Sequence, residues 1–189
     1  IKLDETGSGV IDSGSSASEQ LRNICANASP VLVFLPQQDI HLTSAQLPPN
    51  ASKQQLNAIA FSIEDQLADD VDNCFCAISG QQADGSVPVA VIERELMDDC
   101  VQLLSEQHIN AREILAPVYL CPWSDEEDFL TSVSEFKQGY LLRYGEHAGL
   151  YCEAAVLPQL LKLLKNQKPA ALRVDFYADS VPDEVLELG

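Results

Sequence analysis

The sequence has 189 residues, 46% hydrophobic and 21% charged, enough to bury a real core, and no run of ~18 apolar residues fits a membrane span. Twenty-nine acids against eleven Lys and Arg leave a formal charge of -18, which excludes nucleic acid as an expected ligand, disfavours anionic lipid surfaces and suits a basic protein partner. The six cysteines, Cys25, Cys74, Cys76, Cys100, Cys121 and Cys152, lack the dense spacing of a disulfide scaffold and read as thiols of a reducing cytosol.

Residues 1–15 read as a short strand, a Gly/Ser turn and a second weak strand. Within them Asp4-Glu-Thr-Gly-Ser-Gly9 has the D-x-x-G-x-G form of a phosphate hairpin, but that form is common in plain turns, which is the preferred reading. Residues 18–28 suit a helix, and strands follow at 31–35 and 40–47 around the turn Pro36-Gln-Gln-Asp39, stopped by Pro48-Pro49. Leu56, Ile59, Ala60, Ile63 and Leu67 then recur on one helical face, and Ser52 with Gln55 has the form of a capping box. This helix is predicted to run to about Leu67 or Asp70. It would then hold carboxylates at its negative end, each disfavoured by ~0.3–1 kcal/mol.

Strands are predicted at 73–79 and 87–92, joined by the polar loop GQQADGS. A second amphipathic helix spans about 93–107 with Leu96, Cys100, Leu103 and Leu104 inward, followed by an extended piece over 111–116. Pro122, Trp123 and the acidic run Asp125-Glu-Glu-Asp128 read as a boundary, the run itself as a disordered linker. Beyond it come a hairpin of strands 139–144 and 150–153, a helix over 157–166 with Pro158 in its first turn and Lys162, Lys165 and Lys168 toward its end, and a strand over 171–177. Hairpins with interposed helices predict an α/β (α+β) fold with mixed sheets in two lobes, residues 1–118 with two amphipathic helices and residues 119–189 with a hairpin, a helix and a strand.

No residue set carries an enzyme reading. The histidines His41, His108 and His147 share no metal or triad spacing, and Cys74 with Cys76, one face of a strand, lacks a second ligand pair and reads as core. G-x-S-x-G, G-x-x-x-x-G-K-[ST] and G-x-G-x-x-G do not occur in the chain. Catalytic, metal and cofactor sites are therefore not expected. What is left is the acidic cluster Glu64, Asp65, Asp69, Asp70 and Asp72, which offers either a plain solvated face or charge-assisted contacts to an arginine-bearing partner. Glu64, Asp65, Asp69 and Asp70 are the candidate partner-binding residues.

The stretch LPPNASKQQLNAIAFSIEDQLADDVDNCFCAI, with Ala60-Phe-Ser-Ile-Glu-Asp-Gln-Leu-Ala-Asp-Asp-Val-Asp72 at its centre, resembles the signature of the cytoplasmic domain of bacterial type II secretion system (general secretion pathway) protein L. VPVAVIERELMDDCVQLLSEQHINAREILAPVYLCPW resembles the following strand, helix and proline-ended segment of that family, and the likeness covers most of residues 30–165 in order. Ala60 stands in place of a usual proline, His108 where the family often has Gly, and Val118 where it often has Asp.

The resemblance implies an actin-like ATPase (ribonuclease H-like) fold that has lost its nucleotide site and needs no cofactor. It implies a non-enzymatic adaptor that binds the N-terminal region of the secretion ATPase, protein E, and tethers it beside inner-membrane proteins M and F. A homodimer is compatible with it, and the location is the cytoplasmic side of the inner membrane. It also implies a single membrane span and a periplasmic domain beyond Gly189. The alternative readings are a functional actin-like ATPase or kinase using Asp4 to Gly9 as its phosphate loop, and an actin-like ATP-binding relative of type IV pilus assembly protein M.

Overall fold

The computed structural model describes residues 2–3, 10–12, 18–25, 30–48, 51–52, 54–55, 58–171 and 173–178. In chain order these give β1 (Lys2–Leu3), β2 (Val10–Asp12), α1 (Ser18–Cys25), β3 (Val31–Phe34), β4 (Ile40–Gln46) and α2 (Ile59–Ser62). Next come β5 (Cys74–Ile78), β6 (Ser86–Glu93), α3 (Arg94–Glu106), β7 (Ala111–Leu115), β8 (Phe129–Phe136), β9 (Gly139–Gly145), β10 (Ala148–Glu153), α4 (Leu157–Gln167) and β11 (Arg173–Tyr177). Short 3-10 turns lie at Gln37–Asp39, Glu64–Gln66, Val71–Asn73, Pro117–Leu120 and Ala154–Val156. The chain divides into two compact units, Ile1–Phe34 with Arg94–Leu115, and Leu35–Glu93 with Ala116–Gly189. These units interleave along the chain, whereas the expected lobes, residues 1–118 and 119–189, are sequential.

In the first unit β1 pairs antiparallel with β2, and β3 pairs parallel with β7, Val33 opposite Ile114. α3 ends as its sequence requires. Ile109 N–H donates to Leu104 O at 2.8 Å and His108 N–H to Ser105 O at 3.0 Å, while His108 itself sits at φ 54°. That left-handed position suits glycine, because a Cβ there crowds the following carbonyl. His108→Gly is therefore expected to stabilise the protein by about 0.5–1 kcal/mol, read as a higher urea midpoint at unchanged m; a loss of stability would show that the imidazole compensates for the backbone it strains.

The second unit holds two sheets. In the first, ordered β4-β6-β5 and wholly antiparallel, side chains alternate across the sheet. Val87, Val89 and Val91 of β6 therefore share one face with Ala45 and Cys74, all buried, and Ile59 and Ile63 cover that face at 0% exposure. Cys76 packs against the same cluster, so both thiols of the C-x-C pair serve the core, as read from the sequence. Among the described residues no cysteine is in a disulfide.

The second sheet is ordered β10-β9-β8-β11, an antiparallel meander of three strands followed by α4 and a strand parallel to β8. That order, three strands, a helix, then a parallel strand, makes a mixed sheet of the expected α/β class. Leu157 and Leu161 of α4, four apart and so on one helical face, press on Val133, Leu142 and Cys152. Burial there pushes the Cys152 thiol up to about 11, leaving it protonated at neutral pH.

The sheet's opposite face is covered by residues 117–123. Arg143 reaches across it: its guanidinium donates to Cys121 O at 2.9 Å and Glu146 O at 2.8 Å and lies 5.3 Å from the centre of the Tyr119 ring. Gln37 Oε1 accepts from Val118 N–H at 3.0 Å, securing the same segment from below. β8, one of the two inner strands, is absent from the expected elements.

The acidic run before β8 is ordered as well, which corrects the linker reading. Glu126 and Asp128 both grip Arg173 of β11, which Asp175 also approaches at 3.4 Å. The guanidinium further lies 5.6 Å from the Phe129 ring, so the run closes the end of the β8 and β11 pair.

Candidate functional site

The segment from Ala58 to Asn73 carries the candidate residues, and its local physics differs from the helix expected of it. The capping box forms: Ser52 N–H donates to Gln55 Oε1 at 2.8 Å and Gln55 N–H to Ser52 Oγ at 3.3 Å. The helical stretch nevertheless ends at Ser62, whose hydroxyl turns back to donate to Ile59 O at 2.7 Å. A 3-10 turn at Glu64–Gln66 and a second at Val71–Asn73 replace the expected continuation to Leu67 or Asp70. Ile59, Ile63 and Leu67 still point to the sheet, because burying their side chains does not require an unbroken α-helix. Gln66 is tied to β4 by a 2.5 Å hydrogen bond from Thr43 Oγ1.

The break reverses the electrostatics. Glu64 and Asp65 lie in the first turn of one short helix, and Asp70 caps the next, its Oδ1 accepting from Asp72 N–H at 3.0 Å. Asp69 Oδ1 accepts from Asp70 N–H at 2.7 Å and from Asn73 Nδ2 at 3.2 Å. Those hydrogen bonds, the Asp70 amide first, hold the Asp69 carboxyl below its ordinary range. Asp69 and Asp70 thus accept N–H groups at the start of a helical turn, which offsets for them the cost assigned to a helix end, while Glu64 and Asp65 start one short turn directly after the C-cap of α2.

Glu64, Asp65, Asp69 and Asp70 are all exposed, and among the described residues none is in an ion pair. From residue 54 to residue 93 the sequence has no Lys, Arg or His at all. The structure places the four acids on two successive turns of one segment, Glu64 with Asp65 and Asp69 with Asp70. It also shows what the sequence reading passed over: Phe61, 64% exposed, lies three residues before Glu64, on the side of α2 opposite Ile59 and Ile63. The signal was available, since Phe61 falls outside the apolar face of Ile59, Ile63 and Leu67. An exposed aromatic ring close in sequence to exposed carboxylates combines the apolar and charged groups that protein-docking surfaces use.

The remaining candidates separate from this segment. Asp4 to Gly9 lie outside the described residues. His41 is exposed on β4, and His147 stands edge-on to the Tyr119 ring, 6.5 Å between centroids. Among the described residues no group of three His, Cys, Asp or Glu is placed to hold a metal ion, and no helix is long and apolar enough to cross a membrane.

Comparison with known proteins bears on the same chain. The family model for the type II secretion system, protein L, matches residues 4–185. A type II secretion system protein L of Vibrio cholerae is 32% identical over 117 residues, 60% of this chain and 28% of the relative. That of Dickeya chrysanthemi is 25% identical over 118 residues, 61% of this chain and 29% of the relative. The aligned stretches therefore span under a third of either relative. Among solved structures, the cytoplasmic domain of EpsL, an inner membrane component of the type II secretion system of Vibrio cholerae, superposes with a TM-score of 0.78 at 21% identity, covering 95% of this chain and 75% of that one. This likeness shows a shared fold.

Proposed function

The chain belongs to the type II secretion system protein L family, and from that premise we propose that it is a non-enzymatic adaptor on the cytoplasmic face of the inner membrane. It binds the N-terminal region of the secretion ATPase, protein E, and tethers it to the platform that also contains proteins M and F. The observation that carries this reading is the family match across residues 4–185. The solved domain of similar fold, described as the cytoplasmic domain of an inner-membrane component, supports the placement.

The chemistry of the surface supports a protein partner. An adaptor has to hold another chain without making or breaking bonds, and ATP turnover by that partner would be passed on as mechanical force. Glu64, Asp65, Asp69 and Asp70 offer carboxylates to Arg or Lys across the interface, and Phe61, just before them in the chain, offers an exposed ring. Solvent-screened pairs contribute only about 0.2–1 kcal/mol each, so the set acts together.

Reversing all four charges to Lys is expected to weaken binding of the ATPase N-terminal region by about tenfold to a hundredfold. The dependence of affinity on salt should flatten in the same variant. Titration calorimetry at several ionic strengths checks both, and an affinity and salt slope equal to the wild type would remove the acids from the interface. Tight, magnesium-dependent ATP binding in a parallel titration would overturn the non-enzymatic reading.

A further inference from the structure

We propose that β5 is a docking edge, onto which an extended, cationic segment of a partner chain adds itself as a further strand. Among the described residues β5 has one sheet neighbour, β6, and stands at the end of the order β4-β6-β5. Sheet edges in folded proteins are usually blunted by lysine, proline, a bulge or a covering element. The five residues Cys-Phe-Cys-Ala-Ile contain no charge and no proline, and their register with β6 runs unbroken from Cys74↔Glu93 to Ile78↔Val89. Phe75 is 36% and Ile78 41% exposed, and Ala77 is exposed between them.

The hydrogen-bond phase gives the edge its direction. Ser79 N–H donates to Pro88 O at 2.9 Å, so Ser79 faces β6. Ladder groups alternate, so Ala77 also faces β6, while the N–H of Ile78 points outward. An incoming strand would bond to those outward groups and lay alternate side chains beside Phe75 and Ala77 on one face and Ile78 on the other.

Charge selects the occupant. Asp69, Asp70 and Asp72, all exposed, immediately precede β5, and Asp84 is exposed in the loop that follows it. With no base anywhere in residues 54–93, both ends of the edge are negative. A strand flanked by Lys or Arg is attracted there. A second copy of this chain would bring its own acid-flanked edge and be repelled. The proposal rests on the reading that this acidic segment faces a protein partner, and it adds the mode of attachment.

The test is hydrogen exchange of the chain with and without the N-terminal region of the secretion ATPase, followed residue by residue. Complex formation is expected to slow exchange at residues 74–78 by at least tenfold, the Ile78 amide included. Ile78→Pro, which removes an outward donor and leaves the β6 side of the ladder intact, is expected to weaken binding at least tenfold with little change in melting temperature. A complex that forms and loses affinity on charge reversal, yet leaves exchange over 74–78 unchanged, overturns the strand addition alone. Absence of any complex overturns the adaptor reading and this inference together. Slowing over 74–78 in the chain alone as its concentration rises would assign the edge to a second copy and overturn the cationic partner.

Discussion

Gly149→Ala is expected to destabilise this protein by about 3 kcal/mol, the upper range for overpacking a buried site. A Cβ on Gly149 would come within 2.5 Å of Leu142 O and press on a Val118 methyl. The carbonyl belongs to the central β9 ladder, whose Leu142 pairs with Leu150, so it cannot move without disturbing the sheet. Val118, at 0% exposure, has no room to turn aside. At roughly 2–4 °C per kcal/mol for a domain of this size, melting should fall by about 6–12 °C in scanning calorimetry. Adding Val118→Ala should restore only part of the loss, because the backbone contact remains. A single-variant drop under about 2 °C would mean that β10 approaches the 117–120 turn less closely than described.

Leu157→Ala is expected to cost about 3–4 kcal/mol, within the range for deleting a fully buried leucine. Leu157 is 0% exposed and, with Leu161, fastens α4 to Val133, Leu142 and Cys152. The cavity would open between a helix and a sheet held on its far side by Arg143 and the 117–123 segment, so collapse around it is restricted. Leu163, on the same helix but 52% exposed, provides the control, and its alanine variant should lie within about 0.5 kcal/mol of the wild type. Urea unfolding at constant m measures both. Equal effects at the two positions would show that α4 does not pack as described.

These positions also show what the sequence disclosed. α3, α4 and the β4 to β6 sheet were legible because their apolar residues keep the period of a helix or a strand up to the turn signals. β8 was missed because Thr131 and Ser132, both at 0% exposure, occupy positions where a core strand usually carries apolar side chains. Their burial is made tolerable by hydrogen bonds, Thr131 Oγ1 to Arg143 O at 3.0 Å and Ser132 Oγ to Pro122 O at 2.5 Å, which sequence periodicity cannot reveal. The turn Lys137-Gln138-Gly139 after Phe129 to Phe136 was the available hint of a hairpin.

The helix over 52–67 shows the converse, a correct apolar face with the wrong continuity. Ile59, Ile63 and Leu67 are inward as expected, but local hydrogen bonds at Ser62 and Asp70 divide the backbone into short turns. The acids of the candidate site were therefore visible as charge, whereas the work of Asp69 and Asp70 as acceptors depends on where the last of those turns begins. The Asp125 to Asp128 run likewise gave no sign that Arg173, far along the chain, would hold it.

The interleaving of the two units constrains how a ribosome can deliver them. β3 waits for its parallel partner until β7 has been made, with Val31 opposite Ala111, eighty positions later. At about 5–20 residues per second that interval is roughly 4–16 s. The β4-β6-β5 sheet is complete by residue 93 and can close on α2 before β7 has been made. Val31 to Phe34 are thus paired with β7 only after the β4-β6-β5 sheet has been made, and a chaperone guarding the nascent chain would have a task there.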